Sequence, residues 1–137
     1  MAGALFQVEL VSPERPLFRG EASALTAEAH DGEVGILPRH APMVALLGSG
    51  VVRVRTAGLR EGTETFAIRG GFLQVLGGKA TLLVTQAIGA ADVDRARAAA
   101  AREKVLADLR HPKDDAAYAS LLDERRWLEA QIRIAPR

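Results

Sequence analysis

Apolar and polar side chains alternate in short runs over the first 88 residues. In the first run, Phe6, Val8 and Leu10 alternate with polar side chains, which is the period of a half-buried β-strand. Further runs of alternating or continuous apolar residues lie at 25–29, 52–55, 66–69, 72–76 and 80–85. Glycines that we expect to separate strands lie at 48–50, 58, 62, 70–71 and 77–78. This spacing predicts an antiparallel β-sandwich or flattened barrel, with Gly77-Gly78 as a two-residue hairpin.

The pattern changes near Gly89. Residues 92–110 contain neither Gly nor Pro and are rich in good helix formers, so they predict a helix that Asp92 would cap. Pro112 ends this helix, and residues 115–134 predict a second one. Small and apolar residues on one face of each helix predict an antiparallel hairpin. These residues are Ala98, Ala101, Val105 and Leu109 on the first helix, and Tyr118, Leu121, Leu128 and Ile132 on the second.

The fold class is therefore α+β by segregation. We expect a β-sandwich over residues 1–88 and a helical hairpin over residues 89–137, and charge density supports this division, with 16 charged residues in the first part and 19 in the shorter second part. The few large apolar residues of the hairpin do not offset the entropy of ordering two helices. The hairpin is thus expected to dock on another surface and to be a candidate for conformational change.

Composition excludes several classes of protein. The chain has no cysteine, so it holds neither disulfides nor thiolate metal centres. Its net charge is +1 and both parts are nearly neutral, which argues against nucleic-acid binding. No apolar run approaches the roughly 20 residues that cross a bilayer, and residues 1–7 have no basic region. We therefore expect no membrane insertion, no signal peptide and no transit peptide.

No catalytic constellation is evident. His30, His40 and His111 lie on different segments, and a phosphate-binding glycine loop with its following Lys-Ser/Thr is absent from the sequence. The paired aspartates at 92/94 and 114/115 are typical of helix starts. We expect no catalytic residues, no metal and no required cofactor. An enzyme of jelly-roll type would need His and carboxylates on inward strand positions, which the pattern does not offer.

Two glycines and two prolines lie close together in residues 31–42, D-G-E-V-G-I-L-P-R-H-A-P. Such a segment predicts a shaped loop, and elaborate loops on a rigid scaffold are commonly used for recognition. Glu33, Arg39 and His40 would then present charges in fixed directions. The alternative is an ordinary sandwich connection, with Ile36 and Leu37 in the core.

The second helix carries a group of arginines. Arg125, Arg126 and Arg133 are either a solvated face or a binding face, although Arg125 falls on the predicted apolar seam. Trp127 falls off that seam, which indicates that it covers another surface.

Several local motifs resemble the epsilon subunit of F-type ATP synthases (the delta subunit in mitochondrial nomenclature). The resemblance covers essentially the whole chain. The matching segments are 8–13 with 17–20, the most specific one at 32–42, and Arg-Gly-Gly-Phe-Leu-Gln-Val at 69–75. The order of a β half followed by a two-helix half also agrees with that family.

The resemblance implies a non-catalytic central-stalk subunit that links gamma to the c-ring for proton-driven ATP synthesis. By residue match, Glu33 falls where the family contacts the polar loops of the c-ring, and His40 falls in the stretch that faces gamma. The hairpin would extend to the alpha and beta subunits of the catalytic head and inhibit ATP hydrolysis, with Arg125, Arg126 and Arg133 as contacts. The subunit would be peripheral on the cytoplasmic face of the bacterial plasma membrane.

The resemblance also implies regulatory ATP binding as a candidate property. Some bacterial members bind ATP on the hairpin through an (Ile/Leu)-Asp-x-x-Arg-Ala motif. The matching positions here are Asp92, Arg95 and Ala96, with Arg102 and Arg125 at further basic positions. Three positions depart from those members, namely Gln86, Ala91 and Glu129.

A second hypothesis does not depend on the resemblance. The same pattern suits a stand-alone β-sandwich binding module with a helical dimerisation tail at residues 92–134. Such a module would associate with itself, whereas a stalk subunit would co-purify with larger subunits.

Overall fold

The computed structural model describes residues 4–29, 31–57 and 62–136. Within them, strands are followed by a 3-10 turn and by helices, so the predicted α+β segregation is confirmed. The strands are β1 (Phe6–Val11), β2 (Pro16–Ala29), β3 (Gly32–Ile36), β4 (Met43–Thr56), β5 (Gly62–Leu76) and β6 (Lys79–Gly89). The 3-10 turn (Ala90–Asp92) leads into α1 (Arg95–Asp108) and α2 (Asp115–Ile134).

The strands form one sheet in the order β1-β6-β5-β4-β2-β3, and it closes on itself because β1 also pairs with β2. All pairings are antiparallel except that of β1 with β6. Inward side chains fill a core that is almost wholly aliphatic, as the scarcity of aromatic residues requires. Its fully buried members include Val8, Leu10, Leu25, Ile36, Ile68, Leu73 and Leu82.

An ion-pair group ties three strands together where the sheet closes. Glu9 on β1 pairs with Arg19 on β2 and with Lys79 on β6, each at 3.3 Å. The hydrogen bond from Lys79, together with Arg19, holds the pKa of the Glu9 carboxyl below its ordinary value.

Gly77-Gly78 forms the predicted hairpin turn, with both residues at positive φ. Gly62 begins β5, which confirms the predicted break there, and Gly58 lies outside the described residues. The predicted breaks at 48–50 and 70–71 are wrong. Residues 48–50 lie inside β4, and Gly70-Gly71 lies inside β5 with both residues at positive φ, while the register of β5 with β6 is the same before and after them. An added Cβ on Gly71 would lie 2.1 Å from the Leu83 carbonyl oxygen, so the strand passes too close to β6 for any side chain.

Helix α2 spans the predicted residues 115–134, whereas α1 spans 95–108 instead of the predicted 92–110, and one seam position differs. Asp94, rather than Asp92, caps α1 by accepting a hydrogen bond from the Arg97 amide at 3.0 Å, because the chain first makes the 3-10 turn. Asp114 caps α2 in the same way. The predicted seam is confirmed for Ala98, Ala101, Val105, Leu109, Leu121, Leu128 and Ile132. Tyr118 does not belong to it and is 47% exposed.

Candidate functional site

The hairpin docks on the outer face of the sheet through α2, as its small apolar seam led us to expect. Trp127 and Ala130 pack on Val51 of β4 and Ala67 of β5. Trp127 is only 9% exposed, which confirms that it covers a surface other than the helix–helix seam. This apolar contact is separate from the seam between α1 and α2. One apolar cluster therefore holds the two helices together, and another holds the hairpin on the sheet.

A first polar anchor holds the middle of α2. The Arg69 guanidinium on β5 bridges two carboxylates, with Nε 3.0 Å from Asp123 Oδ2 and Nη2 2.6 Å from Glu124 Oε2. The Ser49 hydroxyl on β4 donates to Asp123 Oδ1 at 2.7 Å. Asp123 is therefore held by two neighbouring strands at once, which fixes the position of the helix along the sheet.

A second polar anchor holds the end of α2. Glu28 on β2 accepts from the Val51 amide at 2.7 Å, and its Oε1 also pairs with the Arg133 guanidinium. Gly50 makes room for this carboxylate, since an added Cβ there would lie 2.8 Å from the Glu28 side chain. The two anchors lie on either side of Trp127 and confine the rotation of α2 on the sheet.

An open cleft of about 840 Å³ lies between the hairpin and the sandwich. Its charged lining consists of Arg95, Arg102, Arg126 and Arg133 with Glu28, Glu103 and Glu129. The cleft therefore carries four guanidinium groups and three carboxylates. Its small excess of positive charge favours anionic ligands only slightly. Arginine forks are nevertheless the side chains best suited to phosphate.

The structure brings only part of the predicted nucleotide set to this cleft. Arg95 and Arg102 line it, whereas Ala96 and Arg125 are not among its lining residues. Asp92 lies on the 3-10 turn and lines a different cleft, next to Arg15 and Phe66. The predicted residues therefore do not form a single site in this docked arrangement.

Glu129 projects between the two helices and pairs with both predicted basic positions. Its Oε2 accepts from Arg102 Nε at 3.0 Å and lies 2.9 Å from Arg102 Nη2. Its Oε1 lies 3.5 Å from Arg125 Nε, a buried nitrogen with no hydrogen-bond partner in the described part of the chain. Glu129 thus serves as an anion between Arg102 and Arg125 and satisfies Arg102 better than Arg125.

The three arginines predicted for the catalytic head differ from one another. Arg125 is half-buried beside Glu129, and Arg133 is paired with Glu28. Arg126 is exposed and makes no ion pair within the described part of the chain. Only Arg126 is therefore ready to meet a partner while the hairpin stays docked.

The segment at residues 31–42 is part strand and part turn, so the prediction that it is wholly a loop is wrong. Residues 32–36 form β3, because Val34 and Ile36 can pack against the core while β3 pairs with β2. Ile36 is buried, as the alternative interpretation proposed, but Leu37 is 63% exposed. Glu33 is exposed and lies opposite Glu28, so two carboxylates share one face of the sheet.

A tight turn follows β3 and carries His40. The His40 amide donates to the Leu37 carbonyl oxygen at 3.2 Å, and Arg39 has a φ of 66°, which is rare for a residue with a side chain. His40 Nδ1 lies 2.7 Å from the Ala41 carbonyl oxygen, so Nδ1 donates and Nε2 is left for another partner. Arg39 and His40 are both exposed, as predicted.

The sheet also presents an exposed apolar surface that the sequence pattern did not single out. We define the apolar face by Val44, Leu46, Phe72, Leu76 and Leu83, which are 41% to 69% exposed. In the strand register Leu46 lies opposite Phe72, and Phe72 lies opposite Leu83, so these three side chains form one row across β4, β5 and β6. In sequence, apolar runs such as 72–76 look like continuous core, which hides their outward members.

Sequence reasoning also missed the anchors. Asp123 and Arg69 are 54 residues apart, and Glu28 and Arg133 are 105 apart, so no local spacing reveals either contact. Among the described residues no cluster of three or more His, Asp or Glu side chains is placed to hold a metal ion. None of the helices in those ranges is long and apolar enough to span a bilayer.

Comparison with known proteins gives a consistent result. The family model for the β-sandwich domain of the ATP synthase delta/epsilon chain matches residues 5–90. The chain is 44% identical over 128 residues to the ATP synthase epsilon chain of Bordetella petrii, covering 93% of this chain and 89% of that one. It is 39% identical over 127 residues to the ATP synthase epsilon chain of Halorhodospira halophila, with 93% and 89% covered.

The fold has a counterpart among solved structures. A chain in the cryo-EM structure of the Euglena gracilis mitochondrial ATP synthase (OSCP/F1/c-ring, rotational state 1) matches with a TM-score of 0.81 at 23% identity, covering 95% of this chain and 81% of that chain. The sandwich and the helical hairpin thus recur together in that protein. With the family match and the two relatives, these observations show that the chain belongs to the delta/epsilon family of ATP synthase subunits.

Proposed function

We propose that this chain is a non-catalytic central-stalk subunit that links gamma to the c-ring for proton-driven ATP synthesis. The apolar face carries this proposal. Contiguous exposed apolar surface on a soluble protein marks a protein–protein interface. The row of Leu46, Phe72 and Leu83 lies on a rigid sheet, so a partner bound there would turn with the sandwich as one body. Gamma is the proposed occupant.

The partners also define the location. A subunit bound to gamma and to the polar loops of the c-ring is peripheral on the cytoplasmic face of the bacterial plasma membrane. Capture of the tagged full chain from membranes, followed by mass spectrometry, tests this proposal. The expected result is gamma, c, alpha and beta in the captured material. Recovery of the chain alone or as a self-associated dimer would favour the stand-alone binding module.

We propose further that Glu33 contacts the c-ring loops and that His40 contacts gamma. The geometry supports this assignment because both side chains are exposed on one short segment that a strand and a tight turn hold in place. The unusual φ of Arg39 also supports it, since strained backbone persists where surrounding structure enforces it and is common at binding sites.

We propose that the hairpin inhibits ATP hydrolysis when it leaves the sandwich and reaches the alpha and beta subunits. In the docked arrangement Arg125 and Arg133 are neutralised by carboxylates of the same chain. Undocking breaks the pair between Arg133 and Glu28 and frees that arginine for the acidic surface of a partner. The docked hairpin is therefore the form that permits hydrolysis.

Arg126 gives the cleanest test of this inhibition. Because Arg126 makes no ion pair with any described residue in the docked form, Arg126→Ala should leave docking intact and raise ATP hydrolysis at low ATP, with little effect on synthesis. Arg133→Ala has two opposed effects, since it also loosens the second anchor. The triple variant with Arg125, Arg126 and Arg133 replaced by Ala should hydrolyse ATP fastest. Unchanged hydrolysis in the triple variant would make these arginines a solvated face.

We propose as a separate point that the cleft takes ATP through Arg95 and Arg102, and that Asp92, Ala96 and Arg125 join only if the hairpin rearranges. A ligand that binds only the docked form stabilises that form by about 2.7 kcal/mol at a hundredfold excess over Kd. Isothermal calorimetry with ATP on the wild type and on Arg95→Ala tests this. Heat in the wild type that is lost in the variant supports the site, and no heat at millimolar ATP would refute it.

A further inference from the structure

We infer that Glu129 is the hairpin's own counter-anion, occupying the place that a phosphate group would take between Arg102 and Arg125. The hairpin therefore closes without a ligand, and a polyphosphate can enter only by displacing this carboxylate. The predicted binding of polyphosphate rests on the nucleotide proposal made above. The role of Glu129 in the hairpin without ligand does not.

The arrangement of charges supports this role. Arg102 on α1 and Arg125 on α2 would face each other across the helix–helix seam as like charges. Glu129 lies one helical turn beyond Arg125 and offers one oxygen to each arginine, Oε2 to Arg102 and Oε1 to Arg125. A carboxylate that joins α1 to α2 in this way stabilises the hairpin by an amount that depends on its charge.

Glu129 pairs more closely with Arg102 than with Arg125. This difference indicates how a ligand would compete with the Glu129 carboxylate. Arg102 donates from two nitrogens to one oxygen of Glu129, at 3.0 Å and 2.9 Å. Arg125 Nε is buried, lies 3.5 Å from the other oxygen and makes no hydrogen bond to any residue that the structure describes. The Glu129 carboxylate is held by its own side chain and does not hydrogen-bond both guanidinium groups. A free phosphate presents three oxygens and could accept hydrogen bonds from both.

Glu129 also contributes to selectivity by charge. Its carboxylate lines the cleft. A bound polyphosphate would repel this carboxylate and would take over its pairing with Arg102 and Arg125. Replacing it with glutamine keeps its size and its acceptor oxygen but removes the repulsion. The geometry therefore predicts that Glu129→Gln weakens the free hairpin and strengthens its binding of polyphosphate.

The test uses the full chain with Glu129→Gln and, as a matched control, Glu103→Gln. Glu103 lines the same cleft but lies 3.8 Å from Arg102 and is 74% exposed. Amide hydrogen exchange in α1 and α2 reports opening of the hairpin, and calorimetry with inorganic tripolyphosphate reports binding.

Without ligand, Glu129→Gln should exchange about twofold to fivefold faster than the wild type, as expected for a partly exposed ion pair, while Glu103→Gln should match the wild type. Millimolar tripolyphosphate should restore protection in Glu129→Gln, which should bind it at least about tenfold more tightly than the wild type does.

Three results would overturn the inference. They are equal exchange in the two variants, equal tripolyphosphate affinity in Glu129→Gln and the wild type, and no binding by Glu129→Gln. Binding to purified gamma, measured in parallel, keeps this outcome separate from the rotor proposal, because Glu129 lines the cleft and is not part of the apolar face. If Glu129→Gln binds gamma as tightly as the wild type does but shows no change in its response to tripolyphosphate, only the counter-anion role is rejected.

Discussion

At the scale of one residue, Gly71 allows β5 to run close to β6 in the middle of the strand. Its φ of 129° belongs to a region that residues with side chains rarely adopt. The atom that a Cβ would meet is the Leu83 carbonyl oxygen, which cannot move aside without disturbing the pairing of β5 with β6. This glycine therefore shapes the part of the sheet that carries the apolar face.

Gly71→Ala should lower the free energy of unfolding by more than about 2 kcal/mol, because strained backbone alone costs about 1–3 kcal/mol and the clash adds to it. Urea denaturation followed by circular dichroism measures the loss. Gly48→Ala on β4 is the control, since a Cβ there meets nothing within 4 Å. Equal losses in the two variants would contradict the proposed close approach.

Glu33→Arg should reduce the coupling of ATP synthesis to ion flow, because it places a cation against the loops that Glu33 is proposed to contact. Its exposure predicts a stability change below about 0.5 kcal/mol. Synthesis and proton pumping in membrane vesicles provide the measurement. Glu21→Arg, an equal charge change at another exposed position, should couple normally. Normal coupling by Glu33→Arg as well would contradict the ring contact.

At the scale of elements, local pattern predicted most strands, both helices and the Gly77-Gly78 turn. It failed where the reason for a structure lies far along the chain. The strand β3 exists because β2 offers it an edge, and β5 continues through Gly70-Gly71 because it pairs with β6 on both sides of these glycines. The partners of Arg69 and Glu28 could not be predicted because they lie on α2, which docks through contacts that no spacing encodes.

Arg69→Ala should release α2 from the sandwich while leaving the sandwich folded. The substitution leaves Asp123 and Glu124 without their cation at a site where charged hydrogen bonds are worth about 1.5–3 kcal/mol. Trp127 is the only tryptophan and lies in the docking contact, so its fluorescence reports release as a shift to longer wavelength. Arg53→Ala, an exposed arginine on β4, should leave the emission unchanged. An unshifted spectrum in Arg69→Ala would show that the apolar contact alone holds the helix.

At the scale of the whole molecule, the sandwich and the hairpin have separate apolar clusters, and a third cluster joins them. Among the described residues, those of the sandwich core all belong to the strands and none to either helix. That arrangement suits a rigid body carrying a movable arm, although independent folding of residues 1–88 stays a prediction.

A fragment that ends near residue 88 should therefore unfold in one cooperative transition with a β-type spectrum. Removing the hairpin uncovers Val51 and Ala67, so some loss of stability is expected, but the main core stays intact. Thermal unfolding followed by circular dichroism provides the measurement, with the full chain as reference. A molten or aggregated fragment would mean that the hairpin is part of one folding unit.

The central claim is that the apolar face binds gamma, and calorimetry with purified gamma from the same organism tests it most directly. The wild type should bind, and Leu46→Glu should lose at least about tenfold in affinity because it buries an unpaired charge. Arg53→Glu, a charge change at an exposed position further along the same strand, should bind as the wild type does. Undiminished binding by Leu46→Glu would contradict the claim.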